Sequence, residues 1–163
     1  MSGETKLRLL AAFKHLNQKI DMKDFKSRLV LQKETYLLQE MGLHLGHAYG
    51  WYLRGPYSRD VASDGFQLVS IQDCKDSLIP LSKSDKNHIN KLKELISEAK
   101  HTFSKTDEDY CLELLASLHF VLKHGYPRPK NESSALEQFL ALKPKFSSDA
   151  KKALRLLKEY NLT

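Results

Sequence analysis

The stretch RLVLQKETYLLQEMGLHLGHAYGWYLRGPYS, residues 28–58, holds the reading on which the fold turns. Leu29, Val30, Leu31, Tyr36, Leu37, Leu38 and Met41 leave little purely polar surface on this segment. A helix that is apolar on most of its faces is buried in protein rather than laid on a surface. Asp21 or Asp24 is placed to cap it and Gly42 to stop it, which predicts a central helix over about 22–41. Beyond Gly42 the period changes. Residues 47–53 are rich in aromatics and bracketed by glycines, which predicts one strand or half of a hairpin. Gly55-Pro56 predicts a turn. Ser58 can then accept from the first free amides of a helix running to about Ser70, and Asp60 suits its dipole.

Outward from this centre, the remaining chain is helical in pattern. Leu7, Leu10, Ala11 and Lys14, with Phe13 and Leu16 beside them, predict an amphipathic helix over 4–18. Residues 71–83, with Cys74 and Ile79-Pro80, predict a loop or short extended piece. Ile89, Leu92, Ile96, Ala99 and Phe103 follow three- and four-residue steps, so a helix begins at Ser84 or Asp85. Thr106 with Asp109 resembles a capping box opening the next helix, whose stripe is Tyr110, Leu114, Leu115, Leu118 and Val121, ending at Gly125. Two more helices fit 131–142 and 148–161, separated by Pro144.

The 163 residues suit one domain able to bury a sizeable core, and seven glycines and five prolines leave little room for a long linker. There is no run of apolar residues long enough to span a bilayer and no signal-peptide core, which predicts a cytoplasmic protein without membrane partners. Cys74 and Cys111 lack CxxC pairing, so neither a disulfide framework nor a zinc ribbon is indicated. Net charge is +6, with basic and acidic segments alternating along the chain, which predicts a polarised surface rather than one uniformly coated for nucleic acid.

One segment carries a resemblance. Arg28-Leu29-Val30-Leu31-Gln32-Lys33, then Tyr36-Leu37-Leu38-Gln39, Gly42, Tyr52-Leu53-Arg54-Gly55-Pro56-Tyr57-Ser58 and Asp64 occur in one order. This resembles the YwgA-like small prokaryotic proteins and, more distantly, the Panacea domain of SocA-like antitoxins. It departs at Lys33-Glu34, where the usual pair is Lys-Leu, and at Gly-Pro-Tyr, where the Panacea type has Gly-Pro-Val. The resemblance implies a helix, a strand, a Gly-Pro turn and a further helix, and a binding module of antitoxin or defence-accessory type acting by direct protein contact. It supplies no catalytic residues. The expected fold is a mainly α, compact multi-helix domain over 1–163 with a short strand or β-hairpin before the Gly-Pro turn, of which 1–82 is the family-like part and 83–163 the C-terminal helices.

A turn stiffened by Gly55 and Pro56 can present a guanidinium and a phenol at fixed positions, so Arg54, Tyr57, Ser58, Arg59 and Asp64 form the expected partner-binding surface. A purely architectural reading of the same residues has Ser58 capping, Tyr57 packing, and Arg54 and Asp64 joined as an ion pair. His44 and His47 form an HxxH without two further ligands nearby, so no metal is expected. His119 and His124 look like surface or helix-end histidines, and the acids of 107–109 suit a helix's first turn. No GxxxxGK[ST], GxGxxG, GxSxG or HExxH occurs, which argues against an enzyme and a cofactor. The rival reading is a winged-helix-like DNA- or RNA-binding regulator, with Lys151, Lys152, Arg155 and Lys158 on the basic face of the last helix.

Overall fold

The computed structural model describes residues 3–74 and 79–163. Within them the chain is mainly α: seven helices and one small antiparallel hairpin. The helices are α1 (Gly3–His15), α2 (Phe25–Glu40), α3 (Arg59–Ile71), α4 (Lys83–Thr102), α5 (Glu108–His124), α6 (Glu132–Leu142) and α7 (Ala150–Glu159), with a 3-10 turn at Pro144–Phe146. Strands β1 (Gly50–Tyr52) and β2 (Gly55–Tyr57) lie between α2 and α3.

Local chemistry sets most helix ends. Asp24, not Asp21, caps α2 by accepting from Ser27 N–H at 2.7 Å. At its other end Gly42 takes φ 115°, and the amides of Gly42 and Leu43 donate back to Gln39 and Leu38, the paired bonds that a left-handed glycine makes available. Ser58 caps α3, Ser82 with Asp85 forms a capping box on α4, and Asn131 does the same on α6 with Ser134. Two expectations fail here. The first helix stops at His15 rather than at 18 because Asn17 adopts a left-handed φ of 58°, which ends the helical hydrogen-bonding. Thr106 and Asp109 form no capping box, since Asp107 occupies the cap position and makes no side-chain cap bond. The expected loop over 71–83 includes residues 75–78, which lie outside the described residues.

The core has two central helices rather than one. Leu31 to Leu38 of α2 are buried without a break, and so are Cys111 to Val121 of α5. These two helices lie against each other, and the others surround them. Buried on every face, both must accommodate polar side chains inside: Gln32, Lys33 and Glu34 on α2, Glu113, Ser117 and His119 on α5. His119 is therefore a core residue, contrary to its expected place at the surface. Its Nδ1 lies 2.7 Å from the Tyr36 hydroxyl.

The connection from α2 to the hairpin is extended. Leu43, Leu45 and His47 are buried while His44, Gly46 and Ala48 are exposed, an alternation of period two without ladder bonding. The hairpin pairs Gly50 with Tyr57, Trp51 with Pro56 and Tyr52 with Gly55. The chain thus reverses at Leu53-Arg54, not at Gly55-Pro56 as expected. Gly55 contributes the left-handed step immediately after the reversal, at φ 92°. It also touches α5, where a Cβ added to it would sit 2.1 Å from the Ser117 hydroxyl oxygen.

Candidate functional site

Helix α2 holds the hairpin region by side chains spaced along one face. Gln39 donates to the His47 carbonyl and accepts from its amide, both at 2.8 Å. Seven residues earlier, two helical turns away, Gln32 donates to the Ser58 carbonyl at 2.8 Å and accepts from the Ser58 amide at 2.9 Å. Next to it Lys33 donates from Nζ to the Pro56 carbonyl at 2.6 Å. Backbone groups that have no ladder partner are satisfied by this route, and the hairpin is fixed over the N-terminal half of α2.

The expected partner-binding residues separate into two sets. Arg54 and Arg59 are exposed and Tyr57 is half-buried, its ring in edge contact with Tyr52 at 5.0 Å. Ser58 and Asp64 are buried, at 1% and 6% exposure, and cannot meet a partner. Ser58 caps α3 through its hydroxyl. Asp64 accepts from His47 Nε2 at 3.0 Å, so the expected pairing of Asp64 with Arg54 does not form. Arg54 instead reaches Glu113 on α5 at 3.5 Å, with its guanidinium over the Phe25 ring at 5.4 Å. His47 is thereby committed to Asp64, and among the described residues no three metal-ligating side chains converge.

Between α2 and the hairpin lies a depression of about 240 Å³, lined by Phe25, Arg28, Leu29, Lys33, Leu53, Tyr57 and their neighbours. Its rim carries three large apolar side chains that face solvent: Phe25 at 55%, Tyr52 at 47% and Leu53 at 96% exposure. Such side chains scattered singly mean little, but here they border one concavity, the pattern that marks an interaction site.

Behind the hairpin is a charge cluster. Buried Glu113 accepts from Lys143 at 2.8 Å and Lys145 at 3.0 Å, and Arg54 joins at 3.5 Å. Lys143 also donates to the Leu53 carbonyl at 3.0 Å, tying the end of α6 to the hairpin tip. Burial raises the Glu113 carboxyl, but the hydrogen bonds and charges of Lys143 and Lys145 outweigh it and hold the group below its ordinary range. Lys33 lies close enough to feel both Glu113 and Lys143. Burial, helped by the like charge of Lys143 and opposed by Glu113, brings its ammonium down to about 7.

Lys33, Glu113 and Lys143 were not among the expected site residues. Lys33 had a visible signal, a cation in the middle of an otherwise apolar helical run. Glu113 had a weaker one, standing between Leu112 and Leu114, and Lys143 had none.

The basic face of α7 is largely neutralised. Lys152 pairs with Asp149 at 3.2 Å, Arg155 with Glu159 at 3.8 Å and Lys158 with Glu132 at 3.1 Å. Lys151 alone of the four forms no ion pair among the described residues. Phosphate binding draws on cations free to release counterions, so this face offers less than its sequence suggests. No helix among the described residues is long and apolar enough to cross a membrane. Compared with family models, with curated proteins and with solved structures, the chain matches none.

Proposed function

We propose that the chain is a non-enzymatic binding protein that engages a protein partner through the hairpin tip and the adjoining end of α2. The observation that carries this reading is the contiguous rim of Phe25, Tyr52 and Leu53 around an apolar depression, with the Arg54 guanidinium beside it. Aromatic and arginine side chains around a pocket are the composition of interface hot spots. The hairpin is held from behind by Gln32, Lys33 and Lys143, so it meets a partner with little ordering left to do. The resemblance of residues 28–68 to YwgA-like and Panacea-type sequences supports an antitoxin or defence-accessory role in a prokaryotic cytoplasm.

The test is recovery of a partner on the tagged protein from its native host, set beside the variant Leu53→Asp, Arg54→Ala. Both residues are exposed at the tip, so the variant is expected to melt within a few degrees of the parent and to lose the partner. A partner list unchanged by the variant rejects this surface.

A further inference from the structure

We infer that the depression between α2 and the hairpin is a binding site for a small apolar carboxylate, its chain against Phe25, Leu29 and Tyr57 and its charge met by Lys33 and Arg28. The volume of about 240 Å³ falls below the roughly 300–1,000 Å³ of sites for drug-sized molecules, which limits the occupant to a short chain. The walls are predominantly apolar, and the charged side chains among them, Arg28, Lys33 and Arg54, are all cations.

The charge balance decides the headgroup. Lys143, Lys145 and Arg54 share the one carboxylate of Glu113. Lys33 and Arg28 have no carboxylate within ion-pair distance among the described residues. Lys33 uses one of its three N–H donors on the Pro56 carbonyl, and Arg28 donates from one nitrogen to the carbonyls of Met22 and Lys23 at 3.1 and 3.3 Å. A buried ammonium whose surroundings meet it with a single carbonyl is under-solvated, and an arriving carboxylate supplies the missing partner. The groups acting on Lys33 are Glu113 from α5, Lys143 from beyond α6 and the Pro56 carbonyl from the hairpin. The cations at this wall call for an anionic headgroup and the apolar walls for a hydrocarbon chain behind it, which a short-chain carboxylate supplies together.

The site shares its hairpin wall with the proposed partner surface but stands apart from that reading, because its probe is a free molecule. Octanoate and its neutral counterpart octan-1-ol are titrated onto the full chain by NMR chemical-shift mapping. Octanoate is expected to bind saturably with shifts at α2 and the hairpin, and octan-1-ol at least tenfold more weakly. Because the charged ammonium strengthens octanoate binding, the octanoate affinity is expected to fall toward that of the alcohol as the pH rises through about 7, while the affinity for the alcohol stays level. Lys33→Met is expected to erase the preference for octanoate, and Arg28→Gln to reduce it. Equal binding of acid and alcohol, a flat pH profile for octanoate, or no saturable binding overturns the site. The pH profile and the alcohol comparison need only the parent chain and decide the matter even where Lys33→Met does not fold. Loss of a protein partner in the Leu53→Asp, Arg54→Ala variant reports on the docking surface alone.

Discussion

Gln32 exchanges two hydrogen bonds with Ser58, donating to its carbonyl and accepting from its amide across 26 residues of chain. Both residues are buried; the Ser58 amide is satisfied by this side chain, while its carbonyl also accepts from the Ala62 amide at 3.3 Å as α3 begins. Gln32→Leu keeps the size of the side chain and strands the Ser58 N–H, the carbonyl keeping its bond from Ala62. The expected loss is about 1–3 kcal/mol, the cost of one buried group left unpaired. Urea unfolding checks it, with a lower midpoint at unchanged m.

Gly55 is expected to tolerate no side chain. Its φ of 92° disfavours any L residue, and an added Cβ would meet the Ser117 hydroxyl oxygen at 2.1 Å. Backbone strain together with overpacking against α5 predicts that Gly55→Ala costs about 2–4 kcal/mol. The double variant Gly55→Ala, Ser117→Gly should recover the overpacking part and leave the strain. Thermal melts of the two variants separate these contributions.

Asp64 belongs to the interior. Asp64→Ala leaves His47 Nε2 without its partner in a ring whose Nδ1 has none among the described residues, at an expected cost of about 1–3 kcal/mol. Asp64→Asn, which can still accept from Nε2, should lose less. Partner recovery by folded Asp64→Asn should match the parent, whereas a direct role in docking would show as loss of the partner at unchanged stability.

The Tyr36–His119 contact makes the fold sensitive to acid. Burial, with the nearby charges of Lys123 and His124, lowers the His119 imidazole to about 3, against an ordinary 6.5. Between those values the unfolded chain takes up a proton that the folded chain does not, so the stability present above pH 6.5 is lost as the pH falls toward 3. His119→Phe is expected to flatten this stretch by up to about 1.4 kcal/mol per pH unit. Urea midpoints for parent and variant at pH 7 and 4.5 should converge on acidification; parallel profiles would count against the buried imidazole.

What could be read in advance was governed by neighbours along the chain. The 3.6-residue repeat of apolar side chains and the caps at Asp24, Ser58 and Gly42 each act within a turn or two, so the residues themselves place α2, α3, α4, α6 and α7 to within a few positions. The central role of residues 28–38 and the presence of a strand element before Ser58 were legible for the same reason. The hairpin's point of reversal was not, because Gly55-Pro56 suits a turn and suits a strand following one equally well. Contact with Ser117 and the Pro56–Lys33 bond select the second.

The chain alone therefore determined a mainly helical domain with a stiff aromatic bend beside its most apolar helix. Which side chains face a partner was decided only by packing. Asp64 turns inward because His47 arrives from the extended segment, Arg54 turns to α5 because Glu113 waits there, and Lys158 of α7 is answered by Glu132, 26 residues before it. A charge is visible in a sequence, but the charge that neutralises it can be brought from tens of residues away. Local patterns thus specify where helices form, and long-range pairing specifies which polar groups remain free to act.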